Sequence, residues 1–318
     1  MTKPGGRHWL RWLERTAGLA VAGFLAWYLI TNWRRVAEYD WTVDWPRLLA
    51  SAALLALAYS GYVGLWRHVL ARMGSALSMV DAHRVWYLAN MGRYVPGKVV
   101  QTVGLAYMVR AKGGSPVAAI ASAAVAQTFV VATGGAVAAL ALPETANGGR
   151  GLYVAGAAFA AAVLVVLLTP AFNALLRLAL RLARRPELYV PVPWTERAGL
   201  AAGYFTLTVV TGLAFWLFLT SVAPVEADAV WALIGVYAAG YVAGWLAFFV
   251  PGGLGVREGV YALLLALYIP PTAAVAAAVL ARIWSTAVEV VVVAILLALY
   301  GAADLRASTV PSTGHAHG

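Results

Sequence analysis

Long apolar runs, separated by short charged stretches, dominate the chain and predict a series of membrane-spanning helices. Most runs approach the roughly 20 residues that an α-helix needs to cross a bilayer, although the first and fourth are marginal in length. The first run is followed by Trp33-Arg34-Arg35 rather than by a signal-peptidase site, so we predict that it is retained as a helix. The runs are Thr16–Ile30, Leu48–Trp66, Pro116–Leu142, Leu152–Leu168, Ala198–Ala223, Ala229–Val250 and Thr272–Leu299.

Two further apolar segments are short or interrupted, and each adjoins a Pro-Gly step. The first, Val85–Arg110, contains Pro96-Gly97, and the second, Val256–Ile269, follows Pro251-Gly252. Proline inside a helix removes a backbone hydrogen bond, and segments of about 14 residues are too short to cross the hydrocarbon core. We therefore predict a re-entrant helical hairpin at each Pro-Gly step.

The two Pro-Gly steps belong to an internal repeat, because they lie 155 positions apart and other distinctive residues recur at that offset. We predict a first repeat at about 48–142 and a second at about 197–300, within one transmembrane domain over residues 1–304. The connector at about 170–196 repeats Arg on a Leu-rich sequence, which is typical of an amphipathic helix on a membrane surface; a plain basic loop is the alternative. The further matched pairs are Gly104 with Gly259, Pro116 with Pro271, and Gln127 with Arg282.

Charged residues at the ends of the apolar runs predict the sides of the membrane. Basic flanks are cytoplasmic under the positive-inside rule, whereas the loops near Glu144 and near Glu226 and Asp228 are poor in Lys and Arg and are predicted to be external. The first hairpin would then enter from the cytoplasm and the second from outside, as in the inverted repeats of many secondary transporters. Eight ordinary helices with two Pro kinks are the alternative. The predicted cytoplasmic residues are Arg7, Arg11, Arg15, Arg67, Arg72, Arg84, Arg110, Lys112, Arg177, Arg181, Arg184, Arg185 and Arg197.

The predicted fold class is an all-α polytopic membrane protein with about six full spans and two re-entrant helical hairpins arranged as inverted repeats. We expect it in the cell inner (cytoplasmic) membrane, with both termini cytoplasmic and a disordered tail over 305–318. Composition agrees, because 62% of the 318 residues are hydrophobic and 11% are charged, against about 25% charged in soluble domains. The lack of cysteine excludes disulfides and thiolate metal sites, and the +10 net charge flanks the apolar runs rather than forming a nucleic-acid-binding module.

Ionisable residues at membrane depth are the candidates for function, because a charge at the bilayer centre costs roughly 2.5–3.5 kcal/mol. Backbone N–H groups freed at the Pro-Gly steps, with guanidinium groups beside them, favour binding of a phosphate or another anion. GRYVPGK matches the front of a P-loop, but Val99 replaces the Mg²⁺-binding Ser or Thr, so we expect no nucleotide, metal or other cofactor. The ionisable candidates are Arg93, Lys98, Arg257, Glu258, Arg282 and Glu289, and the hairpin breaks are Pro96, Gly97, Pro251, Gly252, Gly253 and Gly255.

Structural roles are the alternatives for these residues. Arg257 could pair with Glu289, and Arg282 could extend its charge to the interface. Arg93 and Lys98 could reach cytoplasmic headgroups. For the two glutamates, a structural ion pair is favoured over proton coupling.

Glycine spacing predicts one close helix contact. Gly240-x-x-x-Gly244 lies on an apolar run and matches a small-residue packing motif. We expect it to pack helices within the protein rather than to dimerise the chain.

The two motifs resemble those of the lysylphosphatidylglycerol synthase transmembrane-region family. The matching residues are GRYVPGK (Gly92–Lys98) with Gln101, and PGGLGVREG (Pro251–Gly259). The resemblance implies a polytopic lipid translocase unit. In full-length members this unit flips aminoacylated phosphatidylglycerol that a soluble C-terminal domain makes from aminoacyl-tRNA. Only a short segment follows Asp304 here, so we expect neither that domain nor aminoacyl transfer.

The first functional hypothesis is a lipid flippase or scramblase that moves a phosphate-bearing lipid between leaflets, such as aminoacyl-phosphatidylglycerol or another anionic or polyprenyl-linked lipid. A small-anion secondary transporter is one alternative, and an intramembrane enzyme or enzyme subunit with Glu258 or Glu289 as base is another. We expect a transporter rather than an enzyme. The expected partners are membrane lipids and no nucleic acid, with a homodimer and a lipid-synthesising enzyme as further candidates. The predicted substrate-binding residues are Arg93, Lys98, Gln101, Arg257, Glu258, Arg282 and Glu289.

Overall fold

A computed structural model describes most of the chain. The described residues are 27, 30, 34, 37–39, 41, 43–92, 99–142, 149–182, 186, 189–247, 250 and 253–307. Regular structure in these residues is helical, as predicted. The helix predicted over Thr16–Ile30 falls outside them except at Trp27 and Ile30.

Ten α-helices lie in the described residues. Four of them are long and apolar enough to span a membrane, namely α1, α4, α7 and the Pro271–Ala298 part of α10. The pair α5–α6, bent by 72° at its junction, would be a fifth, and α8 is shorter. The described part of the chain therefore has four or five candidate spans, where the sequence predicted about six. The helices are α1 Trp45–Arg72, α2 Met79–Met91, α3 Val99–Ala111, α4 Pro116–Ala141, α5 Gly149–Leu168, α6 Pro170–Leu182, α7 Trp194–Val222, α8 Val230–Leu246, α9 Val256–Leu265 and α10 Pro271–Ala307.

Helix starts follow local capping chemistry. The side chains of Asp44, Ser78 and Ser115 accept hydrogen bonds from backbone N–H groups in the first turns of α1, α2 and α4. Pro116 and Pro271 open α4 and α10, where a missing N–H has no intrahelical partner to lose. The two prolines paired by the 155-residue offset therefore occupy the same place in their helices.

The long helices α1 and α7 pack antiparallel along their whole length. The backbone N–H of Asp44 donates to the carbonyl of Ser221 at 2.9 Å, and the hydroxyls of Tyr62 and Thr208 lie 3.4 Å apart near the middle. At the other end, Glu196 lies 3.2 Å from Arg72. We call the end with Arg72 and Glu196 the basic end, and the end with Asp44 and Ser221 the opposite end.

Helices α2 and α3 form an antiparallel hairpin whose base lies at the basic end. Near its tip the Gln101 amide donates to Asn90. At its base Lys112 Nζ lies 2.9 Å from Asp81 Oδ1. The backbone N–H of Ser115, just past the base, donates to Ser75 Oγ at 2.9 Å, and Ser75 follows the C-terminus of α1.

Helices α8 and α9 form a second antiparallel hairpin. A Cβ on Gly240 would clash with the Tyr261 ring, and one on Gly244 would meet Arg257 at 3.0 Å, so glycine allows the two helices this close approach. The predicted intramolecular packing of this glycine motif is confirmed. Since α8 follows α7 through a short link, the base of this hairpin lies at the opposite end. The placement of both hairpins relative to a bilayer stays a prediction.

The short helix α6 has two apolar stripes and a basic edge. Phe172 and Leu180 are buried against the core, whereas Leu175, Leu178 and Leu182 are exposed. The exposed side chains of Arg177 and Arg181 provide the basic edge. The predicted amphipathic helix is therefore present up to Leu182.

Arg197 and the C-terminal end of α10 differ from expectation. Arg197, predicted as a surface charge, is 4% exposed, and its guanidinium donates to the carbonyl of Thr169 at the α5–α6 bend. A cation here suits the carbonyls left free where α5 ends. Helix α10 continues to Ala307, three residues into the predicted tail, and the rest of the tail lies outside the described residues.

Candidate functional site

Described residues near the tips of both hairpins line one cavity of about 400 Å³. Asn90 and Gln101 line it from the first tip, and Gly244, Gly253 and Arg257 line it from the second. Helices α1 and α7 add Tyr and Thr side chains from near their midpoints, so the cavity lies about halfway along the spanning helices.

Arg257 is the cation most directly presented to this cavity. It lies in the first turn of α9, and its Nε donates to the hydroxyl of Tyr261 at 2.8 Å. Its guanidinium carbon lies 5.2–5.5 Å from the ring centroids of Tyr237, Tyr241 and Tyr261, within cation–π range. Within the described part of the chain, no carboxylate lies within salt-bridge distance of Arg257. The alternative pairing with Glu289 is not what the structure has.

Aromatic faces stabilise Arg257 without consuming its hydrogen-bond donors. The aromatic rings attract the positive charge of the guanidinium and use none of its N–H groups, whereas hydrogen bonds form in the guanidinium plane. Only the Nε–H is used in the described contacts. The remaining donors can therefore take an oxyanion in the bidentate geometry that guanidinium favours.

The second arginine of the site, Arg282, has a carboxylate partner. Its Nε lies 3.7 Å from Glu258 Oε1, and Glu258 Oε2 accepts from the backbone N–H of Gly255 at 2.6 Å. Glu258 therefore caps α9 and neutralises Arg282 at once. The geometry favours the structural ion pair for Glu258, and its partner is Arg282 rather than Arg257. Arg282 therefore does not extend its charge to the membrane interface, which was the alternative role considered for it.

The loop before α9 brings backbone close to the site. Gly253 and Gly255 have φ of +68° and +83°, a region that favours glycine. A Cβ on Gly253 would lie 2.7 Å from the carbonyl oxygen of Gly244, so this position has no room for a side chain. Both glycines lie between the end of α8 at Leu246 and the start of α9 at Val256.

The structure brings together most of the predicted site residues that it describes. Gln101, Gly253, Arg257, Arg282 and Glu289 line the cavity, and Glu258 lies beside it. Glu289 is 5% exposed and reaches the cavity from α10. Gly255 lies in the described loop before α9. Six further predicted residues lie outside the described residues: Arg93, Pro96, Gly97, Lys98, Pro251 and Gly252.

Sequence reasoning missed the tyrosines of the site. Tyr59, Tyr62, Tyr204, Tyr237 and Tyr241 all line the cavity. The hydroxyl of Tyr204, a residue only 1% exposed, has no hydrogen-bond partner among the described residues. A buried hydroxyl at a cavity wall is a ready partner for a bound polar group. Four-residue spacing of Tyr237 with Tyr241 was the available sequence signal.

The remaining polar wall is made of amides and hydroxyls. Gln127 Nε2 lies 3.4 Å from the Tyr241 hydroxyl, and so links α4 to the ring beside Arg257. No group of three or more His, Cys, Asp or Glu residues able to hold a metal occurs in the part of the chain that the structure describes. The described site is thus a tyrosine-lined chamber that holds the guanidinium of Arg257 and the carboxylate of Glu289 among neutral amides and hydroxyls.

Comparison with known proteins identifies the family. The family model described as lysylphosphatidylglycerol synthase TM region matches residues 15–304, which is nearly the whole chain. Comparison with curated proteins gave no match.

Proposed function

Since the chain belongs to the lysylphosphatidylglycerol synthase TM region family, we propose that it is a lipid translocase that moves a phosphate-bearing lipid between leaflets. The candidate lipids are aminoacyl-phosphatidylglycerol and other anionic or polyprenyl-linked lipids. The protein binds the phosphate of the headgroup and leaves the acyl chains in the bilayer. It acts as a transporter rather than as an enzyme.

The observation that carries this proposal is the state of Arg257. A buried arginine normally needs a carboxylate, because an isolated charge is costly in an apolar interior. Here three tyrosine rings surround the guanidinium of Arg257, and Arg257 lines the cavity. A lipid phosphate supplies the missing negative charge.

Access from both leaflets is supported by the direction of the hairpins. The α2–α3 hairpin has its base at the basic end, and the α8–α9 hairpin has its base at the opposite end, as described above. We propose that both are re-entrant and that the two repeats are inverted. With the basic end in the cytoplasm, each leaflet then has one hairpin leading to the same central cavity.

Residues at the first tip complete the proposed phosphate site. Arg93 and Lys98 lie in the segment that joins α2 to α3, next to Gln101, which lines the cavity. We propose that they bind the headgroup together with Arg257. Membrane lipids are the proposed partners in the inner membrane, with a second copy or a lipid-synthesising enzyme as further candidates.

The test is lipid translocation in proteoliposomes. Purified protein is reconstituted with fluorescent phosphatidylglycerol, and the labelled lipid of the inner leaflet is followed as it becomes accessible to a membrane-impermeant quencher. We expect wild type to expose this lipid and Arg257→Ala to lose the activity. Arg257→Lys should be impaired as well, because an ammonium cannot reproduce planar bidentate contact.

Arg181→Ala is the matched control, because Arg181 is an exposed arginine on α6, far from the hairpin tips in sequence and absent from the cavity wall. Equal rates for Arg257→Ala and wild type, with both proteins folded, would remove Arg257 from the pathway. Flux of inorganic phosphate without lipid movement would favour the small-anion transporter. Chemical turnover of the lipid that depends on Glu289 would favour the enzyme.

A further inference from the structure

The cavity reaches the outer surface of the bundle between α3 and α4. Among the described residues that line it, three are exposed, namely Thr102 on α3 and Ile120 and Ala124 on α4. Every other lining residue in the described chain is buried or half-buried. The opening therefore lies on the side of the helices, where a membrane protein meets acyl chains.

One face of α4 leads from this opening to Arg257. Ile120, Ala124 and Gln127 follow helical spacing and so share a face. Gln127 contacts the Tyr241 hydroxyl at 3.4 Å, and the Tyr241 ring lies 5.5 Å from the guanidinium carbon of Arg257. The lining is thus continuous from the outer surface to the proposed phosphate site.

Apart from Thr102 at the opening, the exposed surface of α3 is largely apolar. On α3, Val100, Val103 and Tyr107 are exposed, with Val103 at 59%. Between Val99 and Val109 the helix carries no charged residue. A hydrated small anion gains no free energy from contact with this apolar surface, whereas an acyl chain packs against it favourably.

The opening lies nearer the basic end. Helix α4 starts at that end, and a rise of 1.5 Å per residue puts Ile120 and Ala124 about 6 and 12 Å from Pro116 along the axis. Half of the hydrocarbon core is about 15 Å thick. The positions of α10 related by the repeat offset, Val275 and Val279, are buried and half-buried, so the second repeat has no matching exposed pair.

We propose that the gap between α3 and α4 is a lateral portal for a phospholipid from the leaflet at the basic end. The headgroup passes Ala124 and Gln127 to Arg257, and the acyl chains stay outside against the exposed apolar face of α3. This inference rests on the proposed translocase function, and it adds the access route and the leaflet that loads the site.

The first test narrows the portal. Ala124→Trp places a large ring in the opening, and Ala53→Trp makes the same change at an exposed position of α1 that does not line the cavity. In the proteoliposome assay we expect Ala124→Trp to fall to the rate of protein-free vesicles, and Ala53→Trp to keep the wild-type rate. Size-exclusion chromatography checks that both are folded. A wild-type rate for Ala124→Trp would overturn the portal and leave the translocase intact.

The second test does not need transport. Wild-type protein is reconstituted in vesicles of phosphatidylglycerol with a photoactivatable group at the end of one acyl chain, and the crosslinked peptides are identified by mass spectrometry. We expect crosslinks on α3 and α4 around Val103 and Ala124, in excess of those on exposed α1, and a loss of that excess in Ala124→Trp. If wild type moves no lipid, the proposed function fails, and these crosslinks still decide the portal. Equal labelling of all exposed helices overturns it.

Discussion

Replacing Glu258 is predicted to destabilise the protein, because this one side chain has two structural tasks. Its Oε2 accepts from the backbone N–H of Gly255 at 2.6 Å and caps α9, and its Oε1 lies 3.7 Å from the Nε of Arg282. The residue is 4% exposed, so water cannot replace either contact. Glu258→Ala removes both, whereas Glu258→Gln keeps an acceptor for the cap and removes only the charge.

The magnitude follows from the ion pair rather than from the cap. Removing one partner of a buried pair costs about 3–5 kcal/mol, and losing a capping side chain costs about 0.5–2 kcal/mol. The 3.7 Å separation is long for a salt bridge, which favours the low end, about 3 kcal/mol. For a chain of this size that loss lowers the melting temperature by the order of 5 °C. Glu258→Gln should show most of the same decrease.

Tryptophan fluorescence during heating in detergent measures the effect, since the chain has 13 tryptophans. Glu226→Ala removes an exposed carboxylate outside the helices and should leave the melting temperature unchanged. The combined change Glu258→Gln with Arg282→Met should recover part of the loss, because no charge of the pair is then left alone. A melting temperature of Glu258→Ala equal to wild type would refute the assignment of the pair. Translocation retained by Glu258→Gln would also exclude Glu258 as a catalytic base.

Three further predictions concern the hydroxyl, the base of the first hairpin and the loop. Tyr204→Phe should keep or raise the melting temperature, since the lost hydroxyl has no partner in the described chain, and should slow lipid translocation if that hydroxyl binds the headgroup; unchanged translocation would remove it from the site. Burial alone would raise the pKa of Asp81, but hydrogen bonds from Lys112 and Ser78 outweigh it and lower that pKa below 3.8. Asp81→Asn should therefore lose about 0.5–1 kcal/mol at pH 7. The difference from wild type should shrink as the pH falls from about 4, where the unfolded-state carboxylate begins to be protonated, and should vanish once the folded-state carboxylate is protonated at still lower pH. A difference independent of pH would contradict this origin. Gly253→Ala should lower the melting temperature, because its φ is +68° and its Cβ would lie 2.7 Å from the Gly244 carbonyl; the control Gly199→Ala, which has open space, should not.

The helical hairpins show what local sequence can predict. Proline is tolerated in the first turn of a helix and disfavoured in its interior, so Pro116 and Pro271 mark helix starts without any knowledge of tertiary structure. Glycine at four-residue spacing predicts close helix approach, and Gly240 and Gly244 do face α9. The 155-residue offset of the repeat relates the proline in one half of the chain to the proline at the equivalent position in the other half.

Partner choice and the cavity wall could not be predicted in the same way. The structural alternatives drawn from the sequence extended the charge of Arg282 to the membrane interface and paired Arg257 with Glu289. The fold instead pairs Arg282 with Glu258, which follows Arg257 directly on α9. On a helix, neighbouring residues point about 100° apart, so the rotation of α9 about its axis decides which charge meets α10. Likewise Tyr62 and Tyr204 are far apart in sequence and meet only because α1 and α7 pack antiparallel. Such contacts depend on global packing.

That same rotation of α9 explains how two neighbouring residues of one helix serve a structural ion pair and the proposed phosphate site. Glu258 points to α10 and neutralises Arg282, so this pair holds α9 in place and offers little net charge to a ligand. Arg257 points to α8 instead, where the approach of Gly244 leaves room for its stem and three tyrosine rings surround its charge. A carboxylate at any of the three ring positions would pair with the guanidinium permanently and would compete with phosphate. Aromatic faces avoid this competition, because they stabilise the cation and leave its in-plane donors for a substrate that must bind and leave again.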